Sequence, residues 1–120
     1  MDLDDGPFGP FAASKRLTKA ADVVAVATPG HTADHLSVLV DDGDITVLLA
    51  GDTSYTEALM IAGKVDGVSP DATASRATLS AIRRFTRERP TVYLPTHDPD
   101  SGARLAARQV ATNSIGTRPN

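Results

Sequence analysis

The stretch LSVLVDDGDITVLLAGD, residues 36–52, decides the fold. It contains two apolar runs, about 36–40 and 45–50, joined by Asp41-Asp42-Gly43-Asp44. An Asp-Gly pair between two apolar runs is a strong signal of a β-hairpin, because glycine adopts the backbone angles that a tight turn requires. We therefore predict two antiparallel strands, the second of which ends at Asp52.

Outward from this hairpin, the chain alternates strand-like and helix-like segments. DVVAVAT (22–28) and TVYLPT (91–96) are β-rich runs, the first bounded by a Thr-Pro-Gly turn. Three helices are predicted. The first is TSYTEALMIAGK (53–64), with Gly63 as its C-cap, and the last is SGARLAARQVA, capped by Ser101. Between them lies a longer helix with Ser69 as N-cap and Pro70 in its first position, which Pro90 ends. The order β-ββ-α-α-β-α indicates a mixed α/β fold with helices packed on a sheet.

Three segments divide the chain. Residues 1–21 are expected to be irregular, with Phe8 and Phe11 docking the segment onto the core; 22–110 form the folded domain, and 111–120 a flexible tail. The acidic, Gly/Pro-rich start is unlike a signal peptide, and no apolar run reaches the roughly 20 residues of a membrane span. We therefore expect a cytoplasmic protein.

Composition excludes several classes of site. With 120 residues, no cysteine and a net charge of −3, the chain has no thiol nucleophile or thiolate metal site, and it lacks the basic excess of a nucleic-acid binder. Any metal ion must be held by His, Asp or Glu. We expect neither a nucleic-acid nor a membrane partner.

Three metal-competent side chains follow strand-like runs: His31 in TPGHTADH, Asp52 in AGDTSY and His97 in LPTHD. Site residues in open α/β sheets tend to lie at such strand ends. This pattern suits a zinc-type hydrolytic site. The alternatives are that the histidines only stabilise turns and that Asp52 is the N-cap of a helix starting near Thr53.

Other polar residues receive supporting roles. His35 is expected to orient the site rather than to bind metal. Tyr55 is a candidate to stabilise a developing oxyanion if a helix begins at Asp52. Asp98 is expected to form a turn, and the arginines of the long helix to form a solvated face: Arg83, Arg84, Arg87 and Arg89.

TPGHT, the hairpin, Gly-Asp, the helical pair and the late strand-end histidine together resemble the C-terminal half of the metallo-β-lactamase-fold hydrolases, whose domain is an αββα sandwich. GDTSYT and the TPGHTADH segment are most similar to the quorum-quenching N-acyl-homoserine lactonase branch. The resemblance covers roughly residues 22–105.

The resemblance implies roles for four residues. His31 would bind the first of two zinc ions, Asp52 would bridge both, and His97 would bind the second. Tyr55 and Asp52 would be the catalytic residues, with Tyr55 beside the substrate carbonyl. A metal-bound hydroxide would then hydrolyse a small-molecule lactone or ester.

The sequence departs from that family in one large respect, because the signature HxHxDH, which supplies the remaining ligands, is absent. We therefore expect weak metal binding and little activity from the chain alone, with Met1 an internal residue of a truncated reading frame or the chain a fragment. The alternatives are a non-catalytic remnant or interaction module, which could self-associate through its exposed half-sheet, and a glyoxalase II-like thioesterase fragment.

Overall fold

The predicted hairpin lies at the centre of the sheet. The computed structural model describes residues 2–65 and 71–113. In it, β3 (Leu36–Asp42) and β4 (Ile45–Gly51) pair antiparallel, from Val38 opposite Leu49 to Asp42 opposite Ile45. The two-residue loop begins at Gly43, whose φ of 80° is costly for other residues. The hairpin prediction is confirmed.

Three more strands extend this hairpin. β1 (Ser14–Arg16) and β2 (Val23–Ala27) add antiparallel neighbours beyond β3, and β5 (Thr91–Pro95) pairs parallel to β4, so the order is β1-β2-β3-β4-β5. The parallel β5 is reached through two helices, α1 (Glu57–Ala62) and α2 (Ala72–Glu88). Consequently β2, β4 and β5 run in the same direction, and their carboxyl ends meet at one edge.

The N-terminal segment is more ordered than predicted. Strand β1 falls within the segment expected to be irregular, because three residues are too few to show an alternating pattern. Ser14 is buried, and its hydroxyl donates to the carbonyl of Gly6 at 2.7 Å. The expected docking through aromatic rings is confirmed: Phe11 is buried 5.6 Å from the ring of Phe85, and Phe8 packs against the same core.

The helix starts differ from the predicted ones. Helix α1 begins at Glu57 with Thr56 as its N-cap, so the predicted start near Thr53 is wrong, whereas the predicted C-cap Gly63 is confirmed with a φ of 68°. Asp71 caps α2 by accepting from the amide of Ala74. The predicted cap Ser69 and first residue Pro70 lie outside the described residues.

The last helix, α3 (Ser101–Ala107), already includes the residue that was predicted to cap it. Asp100 occupies the N-cap position without a side-chain cap bond, and Ser101 is the first helical residue. The Ser101 hydroxyl instead donates to the carbonyl of Pro95 at 2.9 Å, which ties the helix to the end of β5. The prediction of Ser101 as N-cap is therefore wrong.

The main core lies between one face of the sheet and helices α1 and α2. Its buried members are Phe11, Val24, Val26, Leu39, Leu48, Ala50, Met60, Leu79, Ile82, Phe85, Tyr93 and Ala111. The opposite face carries a smaller cluster around Val47 and Val92, and there Leu49 is 45% exposed. The mixed α/β class is thus confirmed. None of the helices in the described ranges is long and apolar enough to span a bilayer.

A buried ion pair joins β5, α3 and the start of α1. Asp98 accepts hydrogen bonds from the Arg104 guanidinium at 2.8 Å and from the amide of Glu57 at 2.9 Å. It also accepts from the amide of Asp100, so it forms the predicted turn as well. Burial alone would raise the pKa of Asp98, but these hydrogen bonds outweigh burial and hold that pKa below its ordinary value.

Replacing Asp98→Asn should lower the free energy of unfolding by about 3 kcal/mol at pH 7, because it leaves the buried Arg104 charge without its carboxylate. A lowered carboxyl pKa contributes its full stability above the ordinary value of about 3.9 and loses it as the pH falls through the lowered pKa, so the difference from the parent chain should shrink as the pH falls towards 3. Urea unfolding at both pH values measures it. The exposed neighbour provides the control, as Asp100→Asn should change stability by no more than about 0.5 kcal/mol. Equal losses in both variants would contradict the assignment.

Candidate metal centre

Three predicted ligands meet where β2, β4 and β5 end. His31 lies in the loop after β2, Asp52 directly follows β4, and His97 follows β5 by two residues. The amide of Thr96 donates to the carbonyl of Gly51 at 2.9 Å, which joins the last two loops at their bases. The shared direction of these strands therefore brings together side chains that are up to 66 positions apart in the sequence.

The Asp52 carboxylate lies between the two histidines. Its Oδ2 is 3.7 Å from His31 Nε2, and its Oδ1 is 3.2 Å from His97 Nε2. The alternative that Asp52 caps a helix is wrong, because α1 begins only at Glu57 and Thr56 caps it. Each carboxylate oxygen thus faces one imidazole nitrogen.

These separations fit pairs of metal ligands. Two atoms that each bind a tetrahedral zinc ion at about 2.0–2.1 Å lie about 3.4 Å apart. The buried atoms Asp52 Oδ1 and His31 Nδ1 have no hydrogen-bond partner in the described chain, so the carboxylate oxygen retains the lone pairs that a cation would use. Nevertheless, no group of three or more such side chains in residues 2–65 and 71–113 is arranged to hold a metal ion. The residues form two ligand pairs rather than a complete site.

Tyr55 lies beside these pairs in the irregular loop before α1, not in a helix as one prediction required. The residue is 41% exposed, and its ring meets the His97 ring edge-on, with the centroids 5.9 Å apart. A small cleft of about 50 Å³ is lined by Tyr55, Ser54 and the three predicted ligands. Since small-molecule pockets usually enclose about 300–1,000 Å³, this cleft alone is too small for a substrate.

The His35 side chain is hydrogen-bonded to the backbone of Asp52. Its Nε2 accepts from the amide of Asp52 at 3.0 Å, and its Nδ1 lies 2.9 Å from the Thr28 hydroxyl and 3.1 Å from the Thr28 carbonyl. Since Nε2 is the acceptor, we place the ring proton on Nδ1. Burial lowers the pKa of His35, which favours this neutral form. The geometry agrees with the orienting role expected from the sequence.

Gly51 makes that contact possible. A Cβ at this position would lie 2.7 Å from His35 Nε2, and the φ of 59° is also in the left-handed region. The His35 ring occupies the space that a side chain at residue 51 would fill.

Other residues of the site were not identified from the sequence. The hydroxyls of Thr53 and Ser54 lie 2.6 and 2.8 Å from the hydroxyl of Tyr93, and Thr78 of α2 donates to the carbonyl of Pro29 at 2.6 Å, next to the His31 loop. Hydroxyl residues are common in every loop and helix, and these partners lie 39–49 positions apart. No local pattern signals them.

No protein-family model and no curated protein matches this sequence. Solved structures share its fold, including the following two. One comes from work on how indirect contributions of mutations optimise a new enzyme function, and the other is a 1.4 Å structure of an N-acyl homoserine lactone hydrolase with the product N-hexanoyl-L-homoserine bound at the catalytic metal centre. For each, the TM-score is 0.64, the identity is 20%, and the match covers 75% of this chain.

The likeness shows the fold. It confirms the expected resemblance to part of a metallo-β-lactamase-like fold with a mixed five-stranded sheet. The match covers only 35% of each of the two longer chains, so this chain corresponds to about one third of either.

Replacing Gly51→Ala should destabilise the fold more than Gly43→Ala. Both glycines have a positive φ, which should cost about 1–2 kcal/mol with alanine, but only at Gly51 would the new methyl group clash with His35. A Cβ at Gly43 would have no atom within 4 Å, so this position serves as the matched control. We expect a further loss of about 1–3 kcal/mol for Gly51→Ala in urea unfolding. Equal losses would show that the contact of Gly51 with His35 carries no constraint.

Proposed function

We propose that this chain is the metal-binding part of a hydrolase that cleaves a small-molecule lactone or ester. The observation that carries the proposal is the Asp52 carboxylate, whose two oxygens each face the Nε2 of a different histidine. His31, Asp52 and His97 would hold the cations, with Asp52 shared between the two histidines. The fold likeness to a lactone hydrolase supports the same conclusion.

Zinc is the cation that best suits histidine and carboxylate ligands without cysteine. Bound there, it would supply Lewis acidity and lower the pKa of a coordinated water. The chain's own contribution is to hold the ligands in place: His35 fixes the backbone of Asp52, and the Thr96–Gly51 hydrogen bond keeps His97 near it.

Tyr55 is the residue best placed to act on the substrate. It lines the cleft of the metal ligands, its ring packs against His97, and it remains partly exposed. A phenol at this location can donate a hydrogen bond to a substrate carbonyl and stabilise the negative charge that develops on its oxygen.

The proposed reaction needs more ligands than residues 2–65 and 71–113 bring together at the site. Each pair would offer a cation one histidine nitrogen and one carboxylate oxygen, whereas catalytic zinc usually has three protein ligands. The cleft is also too small to enclose a substrate. These two shortages favour the second candidate, a non-catalytic remnant, for the chain acting alone.

Titration with zinc tests the proposed site. We expect weak uptake of fewer than two ions per chain by calorimetry, lost in Asp52→Ala because Asp52 belongs to both pairs. His31→Ala and His97→Ala should each remove one pair only. Asp44→Ala, an exposed aspartate in the hairpin turn, is the matched control and should bind zinc as the parent does. Zinc affinity that is unchanged in Asp52→Ala would refute the site.

Hydrolysis assays separate the enzyme fragment from the remnant. We expect little or no turnover of N-hexanoyl-homoserine lactone or of a simple ester by the zinc-loaded chain, because each cation lacks a further protein ligand. Turnover that disappears in His31→Ala would show instead that the chain is active by itself. Faster turnover of a thioester than of the lactone would favour the glyoxalase II-like alternative.

A further inference from the structure

A buried tyrosine lies directly beneath the loop that carries Asp52 and Tyr55. Tyr93, in the middle of β5, has no exposed surface, yet its hydroxyl reaches the Thr53 and Ser54 hydroxyls at 2.6 and 2.8 Å. A phenylalanine would fill the core equally well. Since a buried hydroxyl is costly unless it is hydrogen-bonded, its presence here calls for a role.

The donor and the acceptor of each of these hydrogen bonds can be assigned. The Ser54 hydroxyl donates to the carbonyl of Thr56 at 2.8 Å, so its oxygen is available only to accept from Tyr93. Tyr93 then accepts from Thr53. The chain of donors therefore runs from Thr53 to Tyr93, Ser54 and the Thr56 carbonyl, where Thr56 caps α1. Burial raises the pKa of Tyr93 to about 12, so its hydroxyl remains a donor at neutral pH.

The main-chain carbonyl of Tyr93 is hydrogen-bonded, as its hydroxyl is. Its carbonyl accepts from Nε and Nη2 of Arg104 at 3.2 and 3.1 Å. Arg104 also binds Asp98, the residue next to His97, and Asp98 accepts from the amide of Glu57 at the start of α1. Tyr93 is thus connected to both loops that converge on the site, one through its side chain and the other through its backbone.

We propose that Tyr93 is a positioning residue, whose hydroxyl fixes the loop of residues 52–56 relative to His97. It sets the 3.2 Å separation of the Asp52 carboxylate from His97 and the edge-on contact of the Tyr55 and His97 rings. Residues 53–56 lie outside the helices and strands, so the Tyr93 hydroxyl supplies a constraint that a regular element would otherwise provide. The inference rests on the proposed metal site.

Tyr93→Phe tests the inference, because it keeps the ring in the core and removes only the hydroxyl. In the parent chain, nuclear Overhauser contacts should connect the ring protons of Tyr55 and His97, and these contacts should be lost in Tyr93→Phe. Zinc affinity should fall about tenfold, as is typical when a residue supporting a ligand is removed. Thr91→Val is the matched control: it removes a buried hydroxyl from the opposite end of β5 and should leave both readouts unchanged.

The two readouts distinguish failure of the inference from failure of the proposed function. Retention of the ring contacts and of the parent zinc affinity in Tyr93→Phe would overturn the positioning role. If the parent chain binds no zinc, the proposed function fails, and the ring contacts still decide the positioning role. Should Tyr93→Phe not fold, Thr53→Val removes one of the same hydrogen bonds from the loop side, and retained ring contacts in that variant would refute the inference.

Discussion

The site depends first on the pairing of β4, which lies antiparallel to β3 on one side and parallel to β5 on the other. Strand β3 is antiparallel to β2, and the tight turn at Gly43 makes β4 antiparallel to β3, so β2 and β4 point the same way. The crossover through α1 and α2 then returns β5 parallel to β4. Without both features, the loops that carry His31, Asp52 and His97 would lie at opposite edges.

Strand ends could be predicted from the sequence because their signals are local. The apolar runs and the Asp-Gly pair specify the hairpin, and the residues after each run follow from it; this is how His31, Asp52 and His97 were found. The start of α1 was missed for a physical reason. Thr53, Ser54 and Thr56 are all competent N-caps, and only the hydrogen bonds of the first two to Tyr93 leave Thr56 to cap the helix.

The buried supports of the site were not predictable because they join distant segments. Asp98 was expected only to form a turn, which it does, but it also binds Arg104 and the amide of Glu57, 41 positions away. Glu57 shows how crowded this region is. Burial raises the pKa of Glu57, and its Oε1 has no hydrogen-bond partner in the described chain, with Arg104 Nε at 3.9 Å. Arg104 therefore makes its closer ion pair with Asp98, at 2.8 Å.

The hydrogen bonds that fix the site act mainly on the backbones and neighbours of the ligands: His35 on the Asp52 amide, Thr96 on Gly51, and Asp98 next to His97. The side chains of the proposed ligands are less fully satisfied: among the described residues, the buried atoms Asp52 Oδ1 and His31 Nδ1 have no hydrogen-bond partner, although Oδ1 faces His97 Nε2 at 3.2 Å. Leaving buried polar atoms unsatisfied costs about 1–3 kcal/mol each, a cost that stability alone does not favour. A backbone held firmly beside a carboxylate oxygen that makes no hydrogen bond suits the proposed cation site, in which His31 and His97 would bind through Nε2.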